Sequence, residues 1–223
     1  MNRTFGISEF LYILAAVRWT LLLSLVAFLG GAAVGFVIAI MRTTQSRIVR
    51  LLTAGYIQLF QGTPVLLQLF LFYYGLAVLF DMRVDAWPAV ALAFTLYAGA
   101  FLGEIWRGSI QAIPRTQWEA SACLSLGYFQ QLRFVILPQA MRISIPPTVG
   151  FLVQLIKNTS IAAIIGFVEV TRAGQLMVNV TFQPMVVYPV VAALYFAMCW
   201  PLSLLSRSLE RRIDADLGIK RHL

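Results

Sequence analysis

The stretch LLTAGYIQLFQGTPVLLQLFLFYYGLAVLF, residues 51–80, decides the fold class of this chain, because it contains no charged side chain. An apolar run of roughly 20 residues is enough to cross the hydrocarbon core of a bilayer as a helix. A straight helix over 51–80 would be roughly 45 Å long at about 1.5 Å per residue, whereas the core is roughly 30 Å thick. The stretch therefore predicts a membrane helix that does not run straight.

The sequence Gln61-Gly62-Thr63-Pro64 lies inside this stretch. Proline removes a backbone donor and disfavours helix in the residue before it, so we expect a kink or a break here. The break can serve packing alone. It can also mark a transport path, because broken membrane helices expose backbone groups to solutes. We favour the second interpretation, with Gln61, Thr63 and Gln68 lining a cavity.

Four further apolar spans surround this stretch, at residues 19–41, 86–105, 143–167 and 185–206. Helices are the expected form in hydrocarbon, since a helix satisfies its own backbone hydrogen bonds. Of the 223 residues, 60% are hydrophobic and only 12% are charged, against about 25% charged in a typical soluble domain. We therefore predict an all-α integral membrane protein with about five transmembrane helices in a single domain, 1–223.

Basic residues are concentrated in alternate connections, which predicts the orientation of the chain. Cytoplasmic loops are enriched in lysine and arginine. The rich connections carry Arg42, Arg47 and Arg50, then Arg107, Arg115, Arg133 and Arg142, and finally Arg207, Arg211, Arg212, Lys220 and Arg221. The poorer connections carry Arg83 and Arg172. We expect the N-terminus outside, the C-terminus in the cytoplasm, and the largest cytoplasmic loop at 107–142. The net charge of +8 is thus explained without nucleic acid.

The sequence offers no catalytic or metal-binding constellation. Neither Lys157 nor Lys220 follows a glycine, so no phosphate-binding loop of the P-loop type is present. The single histidine, His222, lies at the C-terminus, and acidic residues are few and scattered. If ATP drives this protein, another chain must bind it.

The loop at 107–142 mixes apolar and polar residues. Between 116 and 131 this mixture suits short amphipathic helices, lying either along the membrane surface or against a partner protein. We expect Pro138 to end one helical segment and Pro146-Pro147 to set a break before the fourth span begins. The apolar side chains that could contact a partner are Leu124, Leu126, Tyr128 and Phe129.

Within this loop, Glu119-Ala120 followed by Val-Ile-Leu-Pro at 135–138 resembles the EAA loop of bacterial ABC-importer permeases. Three other stretches resemble the polar amino-acid permeases of that class. They are QGTPVLLQLFLFYYGL (61–76), FLGEIWRGSIQAIP (101–114) and LIKNTSIAAIIGFVEVTRAG (155–174). The resemblance covers nearly the whole chain.

Three positions depart from the family pattern. Ser125 stands where a glycine usually follows the loop glutamate by six residues. Ser121 stands where alanine is usual, and Asn158 where aspartate is frequent. The distance from Ser125 to Pro138 is kept, which indicates a substitution and not an insertion.

The resemblance implies a type I ABC importer permease in the bacterial cytoplasmic (inner) membrane. Two permease chains, identical or sisters, would form the pore. ATP-binding cassette subunits, which hold the ATP and magnesium, would dock on the cytoplasmic loops, and an extracytoplasmic binding protein would deliver a polar amino acid. This chain itself would bind no cofactor. The residues implied in ATPase coupling are Glu119, Ala120, Ser121, Leu124, Ser125, Leu126, Gly127 and Tyr128.

The polar residues of the spans are candidates for the substrate pathway. Charges at membrane depth usually face protein or water. Glu104 and Arg107 are three residues apart and can form an ion pair on one helix face, which we favour, although Glu104 could instead pair with Lys157. Lys157-Asn158-Thr159-Ser160 could contact the solute or only bond neighbouring helices. The predicted pathway residues are Gln61, Thr63, Gln68, Glu104, Lys157, Asn158 and Thr159.

Glu119 has two interpretations: a carboxylate that pairs with an arginine or a hydrogen-bond donor to hold the loop in shape, or a solvated surface residue. Two other functions also compete with the importer permease. One is a self-sufficient secondary transporter or channel, although five spans without an internal repeat make a small unit. The other is a membrane-bound enzyme, for which no catalytic constellation is present.

Overall fold

The computed structural model describes residues 4–44, 46–81 and 85–216. Arg83, Lys220, Arg221 and His222 lie outside the described residues. The α-helices are α1 (Ile7–Thr43), α2 (Arg47–Gly62), α3 (Val65–Phe70), α4 (Leu76–Phe80), α5 (Ala86–Gln111), α6 (Arg115–Cys123), α7 (Tyr128–Gln130), α8 (Leu137–Asn158), α9 (Val170–Thr181) and α10 (Pro184–Asp216). Short π-helical segments join α3 to α4 (Leu71–Gly75) and α7 to α8 (Gln131–Ile136), and a 3₁₀ segment follows α8 (Thr159–Ile165).

The predicted helical membrane fold is confirmed. In the described part of the chain, four helical stretches are long and apolar enough to cross a membrane: Ile7–Thr43, Ala86–Gln111, Tyr128–Ile165 and Pro184–Ile213. The pair Arg47–Gly62 and Val65–Leu79 makes a fifth if the two helices count as one span. The helices extend beyond the apolar runs. The connection between α5 and the next long helix is therefore much shorter than 107–142.

The predicted break in the second span is also confirmed. α2 ends at Gly62, α3 begins at Val65, and the two helices are bent by 104°. Thr63 adopts an extended conformation, with φ −114° and ψ 144°, as the residue before a proline prefers. The sequence thus explains both the position of the break and its cause.

Two predictions about the other prolines were wrong. Pro146 and Pro147 lie inside α8 without a break, and Pro138 lies at its first turn while the helical path continues from Tyr128. A π-helical segment, Gln131–Ile136, lies directly before α8. Membrane helices tolerate prolines where neighbouring helices pack around them. Here α10 supplies that contact, because the Ser206 hydroxyl donates to the Pro146 carbonyl at 2.9 Å.

Glycines let α1 and α5 pack closely. A Cβ atom on Gly31 would lie 2.4 Å from the Ala98 Cβ, and one on Gly35 would lie 2.8 Å from the Gly103 amide nitrogen. Gly31 and Gly35 are four residues apart and form the small-residue spacing that brings membrane helices together. α5 consequently lies at the centre of the bundle, where Phe94 and Leu102 are fully buried.

The remaining helices surround α5. Aromatic side chains join it to α8, with the Phe101 and Phe151 rings stacked at 5.3 Å. α8 also packs against α10 around Cys199. On the other side, α9 packs between α1 and α10 through Val170 and Ala173.

Candidate coupling loop and solute path

The loop helix α6 ends in a left-handed turn centred on Ser125, whose φ is +58°. The Ser125 amide donates to the Ala122 carbonyl at 2.9 Å, and the Leu126 amide donates to the Ser121 carbonyl at 3.4 Å. These two bonds form a Schellman motif, in which the left-handed position is usually glycine. The turn therefore keeps its geometry with serine at the position where the family pattern has glycine.

The residues around this turn are occupied by internal hydrogen bonds. Ser121 is buried, and its hydroxyl donates to the Trp118 carbonyl at 2.8 Å. The Leu126 carbonyl accepts from Gln131, and the Gly127 amide donates to the Gln130 side chain at 3.0 Å. Ser121, Leu126 and Gly127 thus shape the loop.

The loop is fixed to the ends of the membrane helices. Trp118 stacks on Tyr128 at 6.0 Å, and the Tyr128 hydroxyl donates to the Thr43 carbonyl at the end of α1 at 3.2 Å. A buried apolar cluster beneath the loop contains Ile113 and Ile136 and joins the end of α5 to the start of α8. The loop is therefore in contact with three helices, α1, α5 and α8.

The outer face of the loop is exposed and apolar. Leu124 is 75% exposed and Phe129 is 79% exposed. Glu119 and Ala120 lie on the same exposed side of α6. Among the described residues Glu119 has no hydrogen-bond or ion-pair partner, so the interpretation that it holds the loop in shape within this chain was wrong. Its carboxylate faces outward, beside the exposed apolar side chains.

Gln68 holds the break between α2 and α3 together. Pro64 has no N–H for the Phe60 carbonyl, and the Gln68 side-chain amide donates to that carbonyl at 2.8 Å instead. The same nitrogen lies 3.0 Å from the Thr63 carbonyl and 2.9 Å from its hydroxyl. Gln68 is only 7% exposed, so the prediction that it lines an open path was wrong. Gln61 and Thr63 are exposed beside it.

Glu104 forms an ion pair with Arg107, and the local pairing that we favoured is confirmed. The Arg107 Nε donates to the Glu104 carboxylate at 2.8 Å, and a second guanidinium nitrogen contacts the other carboxylate oxygen. The alternative pairing with Lys157 does not form. Both side chains are partly buried on the same face of α5. In this conformation the Glu104 carboxylate is paired with Arg107 and is not free to contact a solute.

A polar stripe on α8 contains Gln154, Lys157 and Asn158. Gln154 and Lys157 are exposed, and Lys157 has no carboxylate within ion-pair distance in the described part of the chain. The Asn158 amide accepts from Gln154 at 3.2 Å and donates to the Tyr97 hydroxyl at 3.2 Å. The stripe therefore continues onto α5. Gln154 was missed from the sequence, although its spacing from Lys157 and Asn158 puts it on their helix face.

Thr159, which we also predicted to line the path, lies inside the protein. Its side chain is 0% exposed and its hydroxyl donates to the Ile156 carbonyl at 2.7 Å. The prediction was wrong because Thr159 lies on the buried face of the helix, four residues after Leu155 and three after Ile156, which are also buried.

A buried polar cluster that the sequence analysis missed lies between α9 and α10. The Glu169 side chain is 0% exposed and caps α9 by accepting from the Thr171 and Arg172 amides at 2.9 Å. The Tyr195 hydroxyl donates to it at 2.5 Å. Burial raises the pKa of the Glu169 carboxyl, although the bonds from Tyr195 and the two amides oppose that shift. Glutamate is not among the residues preferred at an N-cap, so the sequence around Glu169 does not indicate its capping role.

A lysine exposed within a membrane span, together with a separate loop that has an exposed apolar face, fits the membrane subunit of a solute transporter. The comparison with known proteins identifies the kind of transporter. The chain belongs to the family described as binding-protein-dependent transport system inner membrane component, whose model matches residues 31–217.

Relatives cover nearly the whole chain. A probable amino-acid ABC transporter permease, YckA of Bacillus subtilis, is 32% identical over 95% of this chain and 93% of its own length. The L-cystine transport system permease protein TcyB of the same organism is 36% identical over 89% of this chain and 85% of its own length. The glutamine permease GlnP of Escherichia coli is 32% identical over 88% and 90%.

Solved structures agree with this family. A chain of a crystal structure of an amino acid ABC transporter with histidines has a TM-score of 0.86 at 31% identity, over 94% of this chain and 100% of that one. A chain of the inward-facing MetNI methionine ABC transporter shares the fold, with a TM-score of 0.77 at 16% identity over 94% and 99%. The chain is thus a non-enzymatic permease subunit of an ABC importer, and ATP hydrolysis belongs to a separate subunit.

Proposed function

We propose that this chain forms one half of a pore that imports a polar amino acid delivered by an extracytoplasmic binding protein. The substrate class is supported by the relatives that are named for amino acids, cystine and glutamine. The observation in this chain that carries the proposal is the polar stripe of Gln154, Lys157 and Asn158 on α8.

The stripe requires a polar environment. A charged side chain at membrane depth is costly unless it faces water or a partner, and Lys157 is exposed and has no carboxylate partner among the described residues. A second permease chain, identical or a sister, that faces the stripe would enclose Lys157 in a common aqueous path. An amino acid in that path offers a carboxylate to the Lys157 ammonium and an ammonium to the Gln154 and Asn158 side-chain oxygens. Gln61 and Thr63, exposed at the bend after α2, could widen the polar lining.

The ATP-binding cassette subunit, which carries the ATP and magnesium, docks on the exposed face of the loop. Leu124 and Phe129 supply apolar contacts, and Glu119, Ala120 and Tyr128 border them. Ser121, Ser125, Leu126 and Gly127 maintain the turn that presents this face. Because the loop is bonded to α1, α5 and α8, movement of the docked subunit would move those helices.

This function requires the orientation that the basic residues predict. The loop carries Arg115 and lies between arginine-rich helix ends, so the positive-inside rule puts it in the cytoplasm. The N-terminus would then lie outside and the C-terminus inside the bacterial inner membrane. The Glu169 cluster and α9 would face the side from which the binding protein delivers its solute.

Transport by a Lys157→Gln variant tests the role of the stripe. The transporter is reconstituted in liposomes with its ATPase and binding protein, and amino-acid uptake is measured with ATP inside. We expect uptake to fall by about tenfold or more, because the variant loses the hydrogen bond between the lysine and the carboxylate of the solute. A hydrogen bond to a charged group is worth about 1.5–3 kcal/mol. The matched control is Arg18→Gln, which removes an exposed cation from α1. Equal uptake in both variants would exclude Lys157 from the path.

A further inference from the structure

An apolar groove runs between α1 and α8, with α5 as its floor. It has a volume of about 470 Å³ and is lined by Phe36, Ile40, Trp106, Ile110, Met141 and Val149, among others. Phe36, Ile40 and Met141 are exposed at its rim, so the groove is open to the surroundings. Its volume lies in the range of roughly 300–1,000 Å³ that is typical of sites for small ligands.

The polar side chains in the lining of the groove are few, and both already take part in hydrogen bonds within the protein. Its two hydroxyl side chains are Ser144 and Thr148. The Ser144 hydroxyl donates to the Met141 carbonyl at 2.8 Å, and the Thr148 hydroxyl accepts from the Trp106 indole nitrogen at 3.0 Å. An occupant is therefore held by apolar contact.

The groove and the polar stripe overlap in part around α8. Lys157 follows the groove residue Thr148 by nine residues, about two and a half helical turns, and so projects from the opposite face of α8. Asn158 follows the groove residue Ala140 by eighteen residues, about five full turns, and so projects from the same face. If Lys157 faces the pore, the middle of the groove faces away from it.

The length of the groove matches one leaflet of the membrane. Its lining on α8 runs from Leu137 to Val149, which corresponds to about 18 Å at 1.5 Å per residue. Half of a hydrocarbon core of roughly 30 Å is about 15 Å. A single acyl chain of a phospholipid in that leaflet can therefore lie along the groove.

Two arginines flank the same groove. Arg42 lies two residues after Ile40 at the end of α1, and one guanidinium nitrogen donates to the Arg50 carbonyl at 3.1 Å. Its Nε is buried without a hydrogen-bond partner in the described part of the chain. Arg142 follows Met141 and is exposed, with no carboxylate within ion-pair distance among the described residues. Basic residues beside grooves between membrane helices bind anionic lipid headgroups.

We propose that this groove binds one acyl chain of an anionic phospholipid whose headgroup contacts Arg42 and Arg142. Apolar lining, one-leaflet length and flanking arginines together specify this ligand. The lipid would fill the space between α1 and α8 directly above the coupling loop, where the two helices must move together.

Fluorescence quenching of Trp106 tests the proposal, because this side chain lines the groove. The assembled transporter, with Phe at the other four tryptophan positions, Trp19, Trp87, Trp118 and Trp200, is placed in phosphatidylcholine nanodiscs. A minor fraction of brominated phosphatidylglycerol or brominated phosphatidylcholine is then added. We expect phosphatidylglycerol to quench Trp106 preferentially, with an occupancy preference of about fivefold for each arginine that it contacts.

Variants separate the headgroup contact from chance proximity. Arg42→Gln and Arg142→Gln should each reduce the preference for phosphatidylglycerol, whereas Arg18→Gln, outside the groove, should leave it unchanged. A variant that keeps only Trp200, which is exposed on α10, reports bulk lipid and should be quenched equally by both lipids. Equal quenching of Trp106 by both lipids overturns the proposed headgroup site. No quenching of Trp106 while Trp200 is quenched overturns the proposal too, since protein would then cover the groove.

Discussion

Replacing Gln68 with leucine tests how the broken helix is stabilised. The substitution keeps most of the side-chain volume and removes the amide that donates to the Phe60 carbonyl and to Thr63. Thr63 is exposed and can bond water, whereas Phe60 is buried. The cost is therefore set by one buried carbonyl, at about 1–3 kcal/mol.

A smaller term opposes this loss. The Gln68 Oε1 is buried and has no hydrogen-bond partner in the described part of the chain, so its removal returns part of the desolvation cost. We expect a net loss of about 1–2 kcal/mol, which for a chain of this size lowers the melting temperature by about 2–8 °C. Thermal unfolding of the purified subunit in mild detergent measures it.

Two further variants make the test specific. Gln61→Leu is the matched control, because Gln61 is exposed and its contact with the Ala100 carbonyl is long, at 3.4 Å. Pro64→Ala restores an N–H that can serve the Phe60 carbonyl, so Gln68→Leu should cost less in that background, a coupling that a double-mutant cycle isolates. A Gln68→Leu effect no larger than that of Gln61→Leu would refute the proposed role of the amide.

Three other predictions concern stability and use the same assay. Ser125→Gly should stabilise the subunit by about 0.5–1 kcal/mol, because the φ of Ser125 is +58° and glycine adopts this conformation without strain. Ala120→Gly, in a right-handed helix, should destabilise the subunit by a similar amount. Destabilisation by Ser125→Gly and stabilisation by Ala120→Gly would contradict the left-handed turn. Gly31→Val should cost about 1–3 kcal/mol or more through overpacking, whereas Gly55→Val, with open space around it, should cost much less; equal losses would exclude close packing of α1 on α5. Burial raises the folded-state pKa of the Glu169 carboxyl above its ordinary value of 4.5, so the folded state binds more protons and stability should fall as the pH rises from 4.5. Glu169→Gln should flatten that decline, and an unchanged slope would contradict the assignment.

The sequence was a good guide where one residue determines the local backbone. Thr63-Pro64 broke a helix because the residue before proline is extended and a carbonyl loses its donor. The same reasoning failed at Pro146-Pro147, since α10 packs against α8 there and bonds the Pro146 carbonyl. That contact joins residues distant in sequence.

For the candidate solute path, the sequence indicated which helices carry polar residues but not what each of those residues does. Polar side chains within apolar spans pointed to α8 and to the break after α2, and a solute path at these places stays a prediction. Their roles depended on tertiary contacts, however. The Gln68 side chain turns inward and bonds the Phe60 carbonyl, Thr159 lies on the buried face of its helix, and Glu169 is bonded by the Tyr195 hydroxyl. None of these contacts follows from sequence spacing.

Loss of ATP-driven uptake in a loop variant is the most direct test of the central claim that a separate ATPase drives this chain through its loop. Leu124→Asp, at a side chain that is 75% exposed, is reconstituted with the ATPase and the binding protein, and Glu119→Ala is tested in the same way. We expect normal membrane insertion, weakened ATPase binding in detergent and little ATP-dependent uptake for Leu124→Asp, with a smaller loss for Glu119→Ala. Full uptake by both variants, or ion-driven uptake by this chain without any ATPase, would contradict the claim.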